Sequence, residues 1–419
     1  MRKVTQALLL SLVFALLLGT AVSAAPITIE FWHAMGGVNG EALETIVNNF
    51  NNSQSEIVVD LQFQGSYYDL QQKFLASIAA RRPPALIQLP IEGAGVFGPT
   101  GALEDLTPYL ENDPEINFDY FIPGLLADSY YQDEFLGIPF NRSNPVLFYN
   151  KAHFAEAGLG TEPPETWEEL VEYAKALTVI DETGRVVRHG FSPNLHWWTL
   201  IPMIWSNGGN LADPETGKPT FDTPEVAEVL QLISDMVNVH RTAKVYAGTV
   251  FSASNRARDD FNAGKISMWI NSIANVGSID PNLDYATAFV PRFKDGEHTV
   301  PNGGGSLFVA ASATKEQKDA AWKVIKYFVS PEQQAYWSRI TGYMPASFVA
   351  VNTPEMQQFY AEKPMYKTAI DQLQYAKGVP SSEIFLDIID VFESAVQEVV
   401  ISQSDPAEVL EAAIKLIHY

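Results

Sequence analysis

The sequence predicts an α/β protein folded as two lobes, and three observations lead there. Near the start of the chain, strand and helix signals alternate. An alternating segment at residues 27–32 is followed by Ala42, Leu43, Ile46, Val47 and Phe50 at helical spacing and by a second strand at 57–63. Next come a helix with Leu70, Phe74, Leu75 and Ile78 on one face and an apolar strand at 85–89 after Pro83-Pro84. This β-α-β-α-β order implies a mostly parallel sheet with helices on both faces, whose ligands sit beyond the carboxyl ends of the strands, here residues 33–37, 65–68 and 91–95. The second observation is size: 419 residues suffice for two or three domains of about 100–200 residues each, and 47% hydrophobic content furnishes their cores. The third is the stretch Pro139-Phe140-Asn141-Arg142-Ser143-Asn144-Pro145-Val146-Leu147-Phe148-Tyr149-Asn150-Lys151. Polar residues and a proline stand immediately before a β-branched and aromatic run, an entry that suits a strand passing from one lobe to the next. On spacing alone, the reading of an ordinary core strand after a loop is favoured.

The remaining elements follow in order. Residues 130–138 read as a hairpin leading into that stretch. Thr166-Trp167-Glu168-Glu169 has the spacing of a capping box, with Leu170, Val171, Ala174 and Leu177 supplying the apolar face of the helix behind it. Thr223-Pro224 starts another helix, with proline where its missing N–H costs nothing. Residues 261–270 pass from a helix end through Gly264 into a strand. Residues 303–309 read as the strand-like return crossing, 315–328 as an amphipathic helix, and Ser330-Pro331-Glu332-Gln333 as the start of the next, with a capping residue and proline together. Two more helices, 384–400 and 406–417, close the chain, the last capped by Asp405 with Glu408 three residues on. No repeat or flexible linker intervenes, so the lobes are joined by strand-like connections.

The N-terminus has the order of a secretory signal peptide: Arg2 and Lys3, an apolar run at 7–18, then Val22-Ser23-Ala24, with cleavage expected after Ala24. The run is shorter than the roughly 20 residues that span a membrane. There is no cysteine, which excludes disulfides, thiolate metal sites and a lipid-modified anchor, so a soluble exported protein is expected. Losing Arg2 and Lys3 takes the net charge from −23 to −25, a surface that opposes nucleic acid and anionic membranes.

Enzymatic signatures are sparse. The seven histidines show no metal-ligand spacing, and no G-x-S-x-G elbow, Walker loop or dinucleotide fingerprint occurs. Gly303-Gly304-Gly305 lacks the lysine of a phosphate loop. No metal or cofactor is expected. A secreted carbohydrate hydrolase needs only two carboxylates, which 50 acidic residues cannot single out, so it stays as the alternative from another class. For binding, Trp197, Trp198 and Trp205, with Asn207-Gly208-Gly209, offer aromatic platforms for a polar solute or core material for the second lobe.

Five collinear segments carry a resemblance: Phe31-Trp32-His33-Ala34-Met35, Gly65-Ser66-Tyr67, the 139–151 stretch, Gly303-Gly304-Gly305-Ser306-Leu307 and Thr341-Gly342-Tyr343-Met344-Pro345. They are similar to the family 1 solute-binding proteins of ABC importers, especially the glycerol-3-phosphate-binding members. The resemblance implies a type II-like periplasmic-binding-protein fold with three interlobe crossings. Lobe 1 would comprise residues 25–143 and 303–347, and lobe 2 residues 144–302 and 348–419. It also implies a monomeric periplasmic protein, not an enzyme, that hands a small polar solute to the transmembrane subunits of a permease. Ligand-binding roles fall by resemblance on Tyr67, Ser143, Ser272, Gly304 and Tyr343, and on Glu92 after a one-residue shift from Ile91. One departure stands out. The arginine with which the glycerol-3-phosphate-binding members meet phosphate falls on Phe385, and no arginine follows Arg339. Arg142 is either its replacement or a solvated hinge residue. The ligand is therefore left between a glycerol phosphate, its phosphodiester, and a sugar or short oligosaccharide resting on Trp197 or Trp198.

Overall fold

The computed structural model describes residues 25–379 and 382–418, and the expected signal peptide lies outside them. The first lobe begins β1 (Ile27–His33), α1 (Gly37–Ser53), β2 (Ile57–Phe63), α2 (Tyr67–Ala79), β3 (Leu86–Pro90). In β1, Ile29, Phe31 and His33 are buried while their neighbours are half-exposed, the period-2 pattern of a strand packed mainly on one face. Strand β3 is buried at all five positions, as a central strand covered on both faces must be. After a loop region of short helical turns and the hairpin at 130–135, β4 (Gly137–Ser143) completes this part of the chain.

The second sheet starts one residue later. Strand β5 (Pro145–Asn150) is followed by α3 (Trp167–Leu177), β6 (Val179–Ile180), β7 (Val186–Ser192), α4 (Trp197–Ser206), α5 (Pro224–Ser234), α6 (Val250–Asn262), β8 (Ile266–Ser272) and β9 (Tyr285–Ala288). The chain then returns in β10 (Gly303–Val309), followed by α7 (Lys315–Val329), α8 (Pro331–Thr341) and, near the end, α9 (Phe385–Ser402) and α10 (Pro406–Ile414).

Two five-stranded sheets result, ordered β2-β1-β3-β10-β4 and β9-β5-β8-β7-β6. In the first, β2, β1 and β3 are parallel and β10 is antiparallel to both of its neighbours. The expectation of a mostly parallel sheet therefore holds with one reversed strand, and topology supplies the reason: β4 ends at the crossing whereas β10 starts from it. Strand β5 also starts at the crossing and pairs antiparallel with β8 and β9.

The capping box of α3 forms as read, the Glu169 amide donating to Thr166 Oγ1 at 3.2 Å and the Thr166 amide to Glu169 Oε2 at 3.3 Å. At α8 the serine before the first-turn proline does not cap the helix. The Ser330 hydroxyl donates back to the Tyr327 carbonyl at 2.8 Å, so proline at the first turn starts that helix. The last helix stops at Ile414, three residues short of the reading. Each sheet has its own core. Phe31, Leu43, Phe140, Leu307 and Trp337 belong to one, and Leu147, Trp167, Phe191, Trp197 and Phe392 to the other. A third cluster joins Ile122, Leu125 and Met344 to Val146, Phe148 and Trp269 across the crossings.

Candidate functional site

On the first lobe the site is built around one asparagine. Ser66 and Asp69 form a reciprocal capping box, with the Asp69 amide on Ser66 Oγ at 3.2 Å and the Ser66 amide on the Asp69 carboxylate at 2.9 Å, and this sets Tyr67 at the first position of α2. Its hydroxyl accepts from Asn141 Nδ2 at 2.8 Å. Asn141 Oδ1 accepts in turn from Gln88 Nε2 at 2.7 Å, and Gln88 Oε1 from the Ala34 amide at 3.1 Å. The Tyr343 phenol also faces the Asn141 side chain. Its ring lies on Trp337 at 5.6 Å and 14°, and Trp337 on Phe140 at 5.1 Å, a column that holds the phenol in place.

Burial, reinforced by the facing Tyr343 phenol, pushes the Tyr67 hydroxyl well above its ordinary pKa, and burial takes Tyr343 to about 12. Both phenols are neutral at physiological pH, and the Tyr67 oxygen, already an acceptor from Asn141, keeps its proton to donate elsewhere. Glu92 follows β3 and is buried, accepting from Gln71 Nε2 at 3.2 Å. Burial, with the Asp128 carboxylate adding to it, raises Glu92 to about 7.

The three glycines that open β10 each answer a close approach. A Cβ on Gly303 would lie 2.1 Å from the Trp198 ring, one on Gly304 1.7 Å from the Asn141 carbonyl oxygen, and one on Gly305 2.5 Å from the Leu89 carbonyl oxygen. Gly304 also has φ +78°, the left-handed region. Its register partner is Arg142, and Gly303 pairs with Ser143, so the two crossings lie side by side. The third crossing joins them where the Met344 amide donates to the Arg142 carbonyl at 2.7 Å. At the first crossing Asn144 is buried, donating to the Ala369 carbonyl at 2.8 Å and accepting from Gln372 at 3.1 Å.

Arg142 is not the solvated hinge residue that one reading allowed. Its side chain has no exposure, and Nη2 donates to the Leu125 carbonyl at 2.7 Å while Nη1 stands 4.0 Å from Asp128. Alternation along β4 turns it to the face opposite Asn141 and Ser143. Asp128 also accepts from Asn302 Nδ2 at 2.7 Å, and the Asn302 carbonyl accepts from Trp198 Nε1 at 2.7 Å. A chain of polar contacts thus runs from Trp198 on the second lobe through the return crossing to Arg142 on the first.

On the second lobe the two tryptophans part company. Trp197 packs edge-on against Phe385 at 5.3 Å inside the core, its amide donating to Glu393 Oε1 at 3.1 Å. Phe385 is fully buried, so the position to which the resemblance assigned the phosphate arginine is core in this chain. Trp198 stands against Gly303 beside Ser143. Trp205 closes its own turn by donating to Asn210 Oδ1 at 3.0 Å. Ser272, at the end of β8, accepts from the Ala274 amide at 3.2 Å, which leaves its hydroxyl proton to donate.

A cavity of about 70 Å³ lies near the same strand ends, lined by Asn194, Tyr246, Ser254, Glu393 and Gln397 among others. Ser254 links it to the crossing region, since its hydroxyl accepts from Asn271 Nδ2 at 2.7 Å and Asn271 Oδ1 accepts from the Ser272 amide at 2.7 Å. The sequence reading missed this cavity, along with Asn141, Gln88, Asp128 and Asn302. The available signal was the polar run at 141–144 inside a strand otherwise built for burial. Among the described residues no cluster of His, Asp and Glu is placed to hold a metal ion, and no helix is long and apolar enough to cross a membrane.

Comparison with known proteins places this geometry. The model of the bacterial extracellular solute-binding proteins matches residues 36–335. The sn-glycerol-3-phosphate-binding periplasmic protein UgpB of Agrobacterium fabrum is 28% identical over 386 residues, covering 87% of this chain and 84% of the relative. Its namesake from Rhizobium meliloti is 27% identical over 432 residues, 97% of each chain. Among solved structures, UgpB from Mycobacterium tuberculosis in complex with glycerophosphocholine superposes with a TM-score of 0.83 at 23% identity, over 94% of this chain and 98% of that one. The MalE domain from Bdellovibrio bacteriovorus bound to maltotriose gives 0.79 at 20%, over 93% and 99%. These two structural likenesses establish the two-lobed fold. The chain belongs to the family of bacterial extracellular solute-binding proteins.

Proposed function

We propose that the chain captures a glycerol phosphate, and preferentially a glycerophosphodiester, between its lobes and delivers it to the transmembrane subunits of an ABC permease. The observation that carries this reading is the convergence of Tyr67, Tyr343 and Gly304 on Asn141, with Ser143 on the same strand face and Ser272 across the first crossing. Neutral hydroxyls and a glycine-lined backbone furnish donors for phosphate oxygens and glycerol hydroxyls without a fixed charge. Lobe 1 would consist of residues 25–143 and 303–347 and lobe 2 of the rest, turning about 143–145, 303–305 and the segment after Tyr343. A protein of this kind binds its solute unchanged.

A phosphodiester bears one negative charge where a monoester approaches two. With Phe385 buried in place of an arginine and Arg142 turned to the other strand face, the singly charged ligand loses less. The same substitution favours the second reading, a neutral sugar resting on Trp198. Calorimetry against glycerol-3-phosphate, glycerophosphocholine and maltose decides between them, with the order diester over monoester expected. Binding of maltose alone overturns the assignment. Solution scattering at saturation should show contraction, and an unchanged radius of gyration would refute lobe closure.

A further inference from the structure

The 70 Å³ cavity on the second lobe has a composition of its own. On the measure by which one water needs ~10–15 Å³, it holds about five waters, room for a group of several heavy atoms. Leu195, Ala257 and Ile401 supply apolar wall, and Asn194, Ser254 and Gln397 polar wall. Its one lining carboxylate, Glu393, is spent only in part: Oε1 accepts from the Trp197 amide at 3.1 Å and stands 3.6 Å from His196 Nε2. Burial holds His196 down to about 4, so that ring is neutral and offers no counter-charge. Among the described residues no lysine or arginine lies within ion-pair distance of Glu393.

The cations nearby are engaged at Tyr246. Lys244 pairs with Asp260 at 2.6 Å and lies 4.8 Å over the Tyr246 ring, and the Arg256 guanidinium lies 5.7 Å over it. One part of the cavity is thus flanked by a mixed cluster, with Lys244 and Arg256 over the Tyr246 ring and the Asp260 carboxylate accepting from its hydroxyl at 2.7 Å, and another part presents a carboxylate with no cationic partner.

Resting on the glycerophosphodiester reading above, we infer that this cavity is the subsite for the cationic end of the ligand's headgroup, an ammonium or trimethylammonium, with Glu393 as its counter-charge. The apolar wall meets the methyl or methylene groups, while the phosphodiester stays with the neutral donors at the crossing, to which Ser254 links the cavity through Asn271 and Ser272. A largely buried carboxylate without a counter-charge is costly, which burial and the neighbouring Asp390 express by raising Glu393 to about 7. A bound cation removes that cost and drives the proton off. Affinity for a cationic ligand therefore rises as pH goes from 6 to 8. Of the other groups facing Glu393, His196 stays neutral through this range, Asp390 stands one turn away on the same helix, and Lys244, Arg256 and Asp260 surround Tyr246.

The test compares glycerophosphocholine with glycerophosphoglycerol, which shares the phosphodiester and lacks the cation, by calorimetry on wild type and Glu393→Gln at pH 8. Glutamine keeps an acceptor for the Trp197 amide, and a urea midpoint at or above that of wild type, as removal of a carboxylate with a raised pKa requires, confirms intact folding. The variant should weaken glycerophosphocholine by about fivefold, the upper scale of a partly exposed ion pair, and leave glycerophosphoglycerol within about twofold. Wild type should show the pH-dependent rise for glycerophosphocholine alone. Equal losses for both diesters, or no loss for glycerophosphocholine, overturn the inference and leave the proposed function standing. If wild type binds neither diester, both fall.

Discussion

Replacing Gly304 by alanine joins two costs that the structure allows to be separated. The first is conformational: at φ +78° an L side chain costs about 1–2 kcal/mol. The second is steric. The new Cβ would sit 1.7 Å from the Asn141 carbonyl oxygen, and contacts of this kind do not occur below 3.0 Å, so the β10 and β4 backbones must part by at least 1.3 Å. Both sides of that contact are backbone in a paired ladder, and no side-chain rotation relieves it. Weakening two or three ladder bonds at about 1 kcal/mol each, on top of the conformational term, gives a loss of roughly 3–5 kcal/mol. Gly101→Ala is the internal control: its φ is +64° and a Cβ there meets nothing within 4 Å, so only the conformational cost of about 1–2 kcal/mol applies. Urea unfolding followed by tryptophan fluorescence measures both variants, the midpoints reading the difference if the slopes agree. Equal losses in the two would refute the steric account. Because the shift displaces Asn141, which holds Tyr67 and faces Tyr343, solute affinity should fall in Gly304→Ala and remain in Gly101→Ala.

Two further outcomes are expected. Phe385→Arg restores the residue type of the glycerol-3-phosphate-binding members but sets a guanidinium against Trp197 in the core, so it should destabilise by about 3 kcal/mol or more; a variant melting with wild type and binding glycerol-3-phosphate more tightly would contradict the burial. Glu92 binds its proton more tightly folded than unfolded, its pKa rising from 4.5 to about 7, so its contribution to stability is whole below pH 4.5 and is lost as pH climbs through 7. Glu92→Gln should therefore gain on wild type in urea midpoint between pH 5 and 8, and a difference that does not vary with pH would rule out this titration.

Much of the fold was legible because it is written in short-range pattern. The alternation in β1, the apolar run of β3 and the Thr166 box are local matters of period and capping, and the protein forms them where they were read. The family resemblance, too, rests on contiguous motifs, and it named Tyr67, Ser143, Gly304 and Tyr343 without any knowledge of what holds them. Tertiary structure decided what a motif cannot. Asn141 passed as one polar residue in a run, yet it receives contacts from segments 50 to 200 residues away, because β4 and β10 lie beside β3 only once the chain has left for the second lobe and come back. Arg142 is of a residue type that is mostly exposed, and at Phe385 the resemblance assigned a ligand position where the apolar side chain belongs to the core. Alternation along a strand edge and packing against Trp197 buried both. The Glu393 cavity has no sequence signature at all, since its walls come from a strand end, a loop and two helices whose approach is set by the core beneath them. Period and capping act within a few residues of chain, whereas a cleft is made by surfaces that only folding brings to face each other.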